Sequence, residues 1–332
     1  MLPIRLALLS VMLLVVSPSR AQNEATAIAG RLQAIFANSG EGKTVVRKLA
    51  EKDFTSLAAM LQRRAALNLP DQAEVVALEG AVAFLAGQMN DAIGHFGKAA
   101  ELAPLRDSDS FTLAMALVTL GDDRRATVLL SNLSGKYPKQ PLYVYWLGRI
   151  DYDLRLYPEA VKKFQTAVEL DPTSSRTWDS LGLAFDMQGQ MEHAHDAFVI
   201  AVKLNRNLTH PSPWPPHDLG YWCLRMNRLP EAESAFRESL RYDPTLAQAH
   251  YHLARTLEKE EGRDQAVAEY KTAISNDGSL AEACYSLAML YRKLHRNEEA
   301  TAMFSEYKLR KEAAKSSGPA KALEIARPGN SK

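Results

Sequence analysis

Trp178-Asp-Ser-Leu181-Gly182-Leu-Ala-Phe185, followed after a short gap by Ala194-His-Asp-Ala-Phe198, is the stretch on which the fold turns. Its apolar residues recur at three- and four-residue spacing, the pattern of two helical segments that each hide one face. The same arrangement repeats along the chain. Alanines fall every 34 residues at Ala92, Ala126, Ala160 and Ala194, and after a slip of four the series resumes at Ala232, Ala266 and Ala300. Twelve residues before each alanine stands a small residue: Gly80, Ala114, Gly148, Gly182, Gly220, Ala254 and Ala288. Four residues after each stands a large apolar one: Phe96, Leu130, Phe164, Phe198, Phe236, Tyr270 and Phe304. A small residue lets two helix backbones approach, and the large one fills the space beside that contact. Pro104, Pro138, Pro172 and Pro244 close four of the units, where a proline cannot continue the second helix. Gly121, Gly189 and Gly262 fall between the two segments, where a turn permits positive φ. One such pair cannot bury its apolar face alone, so the units must stack.

This pattern resembles the tetratricopeptide repeat family, whose repeat reads W-x2-L-G-x2-Y, then A-x3-F, then P. The resemblance covers residues 73–314 as seven units: 73–106, 107–140, 141–174, 175–208, 213–246, 247–280 and 281–314, with a Pro-rich insertion at 209–212. Glu79, Asp151 and Cys223 are local departures from it. The resemblance implies an all-α, right-handed superhelical solenoid of helix–turn–helix repeats with a concave inner face. The sequence predicts no sheet.

The flanks differ in character. Met1–Ala21 reads as a signal peptide: Arg5 precedes an apolar run from Leu6 to Val16, and Pro18 and Ser19-Arg20-Ala21 lead to a cleavage point before Gln22. Retention as an anchor is the competing reading, although the run is about half of what a membrane span needs. Residues 22–72 are expected to form a helical cap. Ile28, Leu32, Ile35 and Phe36 share one side of its first helix, and residues 39–72 are open to an eighth, degenerate repeat. Lys315–Lys332, polar and basic with two prolines, reads as a flexible tail.

Charge excludes several function classes. The 40 basic and 39 acidic residues of the 332-residue chain leave +1, and loss of Arg5 and Arg20 leaves 38 against 39, or −1. Such a chain carries no field for nucleic acid or anionic lipid. Two cysteines, Cys223 and Cys284, lie two units apart, too far for a bridge, and read as reduced packing residues. The pairs His193/His195 and His250/His252 project about 200° apart on a helix, so neither pair chelates one metal. Ala37-Asn-Ser-Gly-Glu-Gly-Lys43-Thr44 fits a loose phosphate-binding loop, but the strand that the motif needs before it is missing. It reads as a connector, with a nucleotide-dependent role for Lys43 as the alternative. Asn132 and Asn207 begin glycosylation sequons at a near-chance frequency. With 242 residues in repeats, no room remains for a catalytic domain, and no enzyme activity, cofactor or metal is expected.

The resemblance directs attention to the first helix of each unit, where the family makes its ligand contacts. The corresponding residues here include Tyr145, Arg149 and Tyr152 in the third unit, and Arg176 and Asp179 in the fourth. The fifth supplies Trp214, His217, Tyr221 and Arg225, the sixth Tyr251 and Arg255, and the seventh Tyr285 and Arg292. Tyrosine and arginine are the residues of interface hot spots. Acids gather in the fourth unit, and Arg225, Arg255, Lys259, Arg292 and Lys293 gather beyond it, which suits a partner segment with an acidic or carboxylate end near the sixth and seventh units. His210-Pro-Ser-Pro-Trp214-Pro-Pro-His217 is expected to forbid helix. It is either a ligand-contacting lip anchored by Trp214 or an insertion that resets the angle between units. The expectation is an exported scaffold or adaptor of the bacterial periplasm or exterior that holds a protein or peptide in its groove, with self-association as the alternative.

Overall fold

The computed structural model describes residues 18–67 and 69–316, and divides into two compact units, one ending at Ile150 and the other beginning at Asp151. The apolar run Leu6–Val16 and the chain beyond Ser316 lie outside the described residues. Among the described residues all regular structure is helical.

In the first unit α1 (Pro18–Ile35) leads through a 3-10 turn at Ala37–Ser39 to the helix pair α2 (Gly42–Ala50) and α3 (Phe54–Ala65). Next come α4 (Gln72–Leu85) with α5 (Met89–Leu102), and α6 (Asp107–Leu120) with α7 (Asp123–Lys136). Helix α8 (Pro141–Asp153) contains the division between the units. The second unit continues with α9 (Tyr157–Leu170), then α10 (Ser175–Met187) with α11 (Met191–Asn205), and α12 (Trp214–Arg225) with α13 (Leu229–Tyr242). It closes with α14 (Ala247–Lys259) and α15 (Arg263–Asn276), then α16 (Ala281–Lys293) and α17 (Asn297–Ser316). Within each unit the paired helices pack on one another and on the neighbouring pair, as α4 does on α5 and α10 on α11, so the core of each unit runs along its own stack.

The small and large positions of the repeat meet in the pairs that carry Gly80, Gly182 and Gly220. A Cβ placed on Gly182 would lie 2.7 Å from the Phe198 ring, and one on Gly220 would lie 2.9 Å from Phe236. Phe96, Phe164, Phe198, Phe236 and Tyr270 are fully buried. Helix starts are held by side-chain caps at Asp53, Asp122 and Ser174, whose oxygens accept from backbone N–H groups of the first turn.

The turn between paired helices corrects one expectation. Gly121 and Gly189 are left-handed, at φ 79° and 75°, but Gly262 sits at −75°. The left-handed residue of that turn is Glu261, at φ 65°. Gly87, Arg155, Asn227 and His295 hold the equivalent place with positive φ, so the turn recurs at the repeat period whether or not a glycine occupies it.

The prolines after His210 correct another. Pro215 and Pro216 lie in the first turn of α12, where the missing N–H groups have no helical partner to lose. The insertion is tied down. Asn205, fully buried, donates to the Ser212 carbonyl at 2.8 Å and accepts from the Ser212 N–H at 2.9 Å. The Ser239 hydroxyl donates to the Pro213 carbonyl at 2.8 Å.

Candidate partner-binding face

Helices α10, α12 and α14 are first helices of successive pairs and pack side by side in the second unit. Aromatic residues of α12, α13 and α14 converge on two imidazoles. His217 is edge-on to Trp214, with ring centroids 5.4 Å apart, and lies 5.4 Å from the His252 ring. Around His252 stand Tyr221 at 4.9 Å, Tyr251 at 5.0 Å and, stacked beneath, Phe236 at 5.8 Å. His217 Nδ1 is 2.7 Å from the Asp218 carboxylate, while its Nε2 and the Nδ1 of His252 are buried without a hydrogen-bond partner. Burial, and then the neighbouring His217 and Arg255, hold the His252 imidazole well below its ordinary pKa. His252 is therefore a neutral, largely apolar wall of the cluster.

Charges on this face are more neutral than expected. Asp186 is only 6% exposed and is held by Arg225, an ion pair between α10 and α12. Lys293 donates to Glu258 at 2.6 Å, and the same carboxylate accepts from the Tyr270 hydroxyl at 3.1 Å. Asp151 pairs with Lys163. Arg225 and Lys293 are therefore consumed by neighbouring units and do not stand ready for a partner. Arg255, Lys259 and Arg292 have no carboxylate partner among the described residues. Arg255 lies 5.7 Å over the Tyr251 ring, a cation–π contact that holds the guanidinium without neutralising it.

The remaining expected residues are scattered. Tyr221 and Tyr285 are open to solvent, at 38% and 45%. Tyr285 rests edge-on to Phe304 and 5.3 Å from Tyr307, away from the His252 cluster. Arg292 is exposed and Arg176 half-buried. Asp179 is buried. Tyr152 is half-buried and edge-on to Tyr157. Tyr145 and Arg149 belong to the first unit, where Tyr145 is buried edge-on to Trp146 and Arg149 is half-buried. Trp214, read as a possible lip anchor, opens α12 and packs on His217 instead.

His252 was missed in the sequence, since it stands one place beyond the family's contact position at Tyr251. Its signal was the 35-residue interval from His217 to His252, one more than the repeat. The H-x-H geometry does hold. His250 points the other way, with Nδ1 2.6 Å from Glu269 and Nε2 2.9 Å from the Pro244 carbonyl.

Among the described residues no group of three or more His, Cys, Asp or Glu side chains could hold a metal. Cys223 and Cys284 are buried and unbridged, and burial pushes the Cys223 thiol up to about 11, which makes it inert. The Ala37–Thr44 segment passes from the 3-10 turn into α2 with helix on both sides, and Gly42 packs against the Gln33 carbonyl of α1. No helix among the described residues is long and apolar enough to cross a membrane.

Comparison with known proteins agrees with this architecture. Tetratricopeptide repeat profiles match residues 111–175 and 281–308, so the chain carries tetratricopeptide repeats. Superkiller complex protein 3 of Mus musculus is 32% identical over 129 residues, covering 38% of this chain and 8% of that protein. The general transcriptional corepressor ssn6 of Schizosaccharomyces pombe is 30% identical over 88 residues, 26% of this chain and 8% of that one. The chain thus spans under a tenth of the length of both relatives. Among solved structures, a tetratricopeptide repeat protein from Parabacteroides merdae superposes with TM-score 0.62 at 13% identity, covering 79% of this chain and 99% of that one. Pseudomonas aeruginosa pilF gives 0.55 at 18% identity, covering 67% and 97%. At these identities the structures establish the shared fold alone: all-α, built of stacked helix–turn–helix units.

Proposed function

We propose that this chain is an exported, non-enzymatic scaffold that holds a partner protein or peptide along the first helices of its repeats, with an acidic or carboxylate end of the partner near Arg255 and Arg292. The observation that carries the reading is the contrast in charge on that face. The acids Asp151, Asp186 and Glu258 are neutralised from within, while Arg255, Lys259 and Arg292 are not, and Arg255 stands over the Tyr251 ring. A tyrosine offers contact area at little cost in entropy, and an arginine offers a planar fork that matches a carboxylate. Export rests on the composition of residues 1–21, and fractionation that left the protein in the cytoplasm would refute it.

The test uses residues 22–332 as bait against extracytoplasmic extract, beside a Tyr251→Ala/Arg255→Ala chain. A protein captured by the wild type and lost with the double variant supports the reading. Equal capture by both moves binding to another surface, and capture of nothing but the chain itself makes self-association the better account.

A further inference from the structure

In the first unit the corresponding face is already covered, by the chain's own α1. Ile28, Leu32 and Ile35, at four- and three-residue spacing, are buried where α1 packs on α2 and α4, the first helices of two successive pairs. Arg31 adjoins that stripe and reaches the first helix of the next pair, α6. Its Nη1 and Nη2 donate to separate oxygens of Asp109 at 2.7 and 2.8 Å, and its Nε donates to Glu74 of α4 at 2.7 Å. The two partners are well desolvated, with the Arg31 side chain 12% exposed and that of Asp109 4%. Two parallel donors on one carboxylate and a third on another make a fork that lysine's single ammonium cannot reproduce.

Packing on the flank beside the fork is loose. A cavity of about 570 Å³ lies between α1 and the α4/α6 face, lined on the α1 side by Ala27, Gly30 and Ala34 together with Ile28, Arg31 and Ile35. A Cβ placed on Gly30 would meet nothing within 4 Å. Along that flank, therefore, the ion pairs hold α1 across the cavity, while its apolar stripe borders the same cavity and is buried where it packs on α2 and α4. Arg31 thus sits on the helices that, by the repeat pattern, correspond to those carrying the tyrosines and arginines of the second unit.

We propose that Glu74 and Asp109 form an arginine-binding surface of the first unit, that α1 occupies it in cis, and that the external ligand it fits is an apolar helix bearing an arginine in the same register. While α1 is seated, an outside partner is confined to the second unit's face. The inference stands apart from the acidic-partner reading, because it concerns different residues and the opposite ligand charge.

The test uses full-length chains and a fluorescein-labelled peptide of residues 22–38 as probe, read by anisotropy. Arg31→Glu/Leu32→Glu removes both the fork and the apolar anchor of α1 and leaves α4 and α6 untouched. That chain should bind the probe at least tenfold more tightly than the wild type. Binding should fall back to the wild-type level when Asp109→Asn is added, or when the probe itself carries Arg31→Glu. Equal binding by wild type and double variant, or binding indifferent to the probe's arginine, overturns the proposal. A second measurement does not depend on expelling α1. In a single Asp109→Asn chain, hydrogen exchange over residues 26–36 should quicken at least tenfold, with α12 and α14 unchanged. Unaltered exchange over 26–36 also overturns it.

Discussion

Replacing Gly182 by alanine separates the repeat's steric rule from helix propensity, because the two effects have opposite signs. Alanine in a helix interior is favoured over glycine by about 1 kcal/mol. At Gly182, however, the new Cβ would lie 2.7 Å from Cδ1 and Cε1 of Phe198, whereas carbon atoms rest about 3.5–4.0 Å apart. Phe198 is 1% exposed, so the ring cannot swing into solvent without leaving the core. Overpacking of this kind costs about 1–3 kcal/mol. Gly97, on the solvent side of α5, is the control, since a Cβ there meets nothing within 4 Å and only the propensity gain remains. Gly182→Ala should therefore fall below Gly97→Ala by about 1–3 kcal/mol in its effect on local stability. Stacked repeats need not unfold as one unit, so the assay is native-state hydrogen exchange, reading opening free energies of α10 and α11 in one variant and of α4 and α5 in the other. A Gly182→Ala chain as stable as its control would refute the close-approach reasoning.

Two further predictions concern the turns and the histidines. His295 holds φ 57° without being glycine, a conformation that costs an L-residue roughly 1–2 kcal/mol, so His295→Gly should raise the melting temperature and Gly189→Ala should lower it. The reverse order in a thermal scan would contradict the turn assignment. His250 has an acceptor at each ring nitrogen, an arrangement that only the imidazolium satisfies on both sides. Burial alone would lower its pKa, but the Glu269 carboxylate and the Pro244 carbonyl outweigh burial and raise it. A raised folded pKa contributes stability that is fully present below the unfolded value of about 6.5 and is lost as pH climbs through the folded value. Glu269→Gln should therefore destabilise the α14–α15 pair more at pH 5.5 than at pH 9, and an equal loss at both would exclude the assignment.

The repeat was legible because its decisive contacts are local. Gly182 and Phe198 lie 16 residues apart within one helix pair, so their meeting is written into the spacing itself. The turn was misplaced by one residue at Gly262, since packing of the pair sets which residue turns left-handed, and Glu261 accepts the strain. Pro215 and Pro216 looked like helix breakers only because nothing in the sequence marks the first turn of α12 as their place. The charge pattern was harder to read. Arg225 and Asp186 are 39 residues apart, Lys293 and Glu258 are 35, and Arg31 and Asp109 are 78. Pairings of that kind depend on which helices lie side by side, and sequence spacing alone does not say which cation a neighbouring unit will consume. His252 escaped for the same reason, as it gains its meaning only from His217 on the adjacent helix.

The central claim is that a partner lies against the first-helix face. A photocrosslinking residue placed at Tyr221, 38% exposed on α12, and separately at Val199, 42% exposed on the second helix α11, compares that face with an equally accessible site on a second helix. In cells of the source organism, the account predicts a discrete heterologous adduct from position 221, abolished by Arg255→Ala, and none from position 199. An adduct from 199 alone, or one from 221 that persists without Arg255, would contradict it.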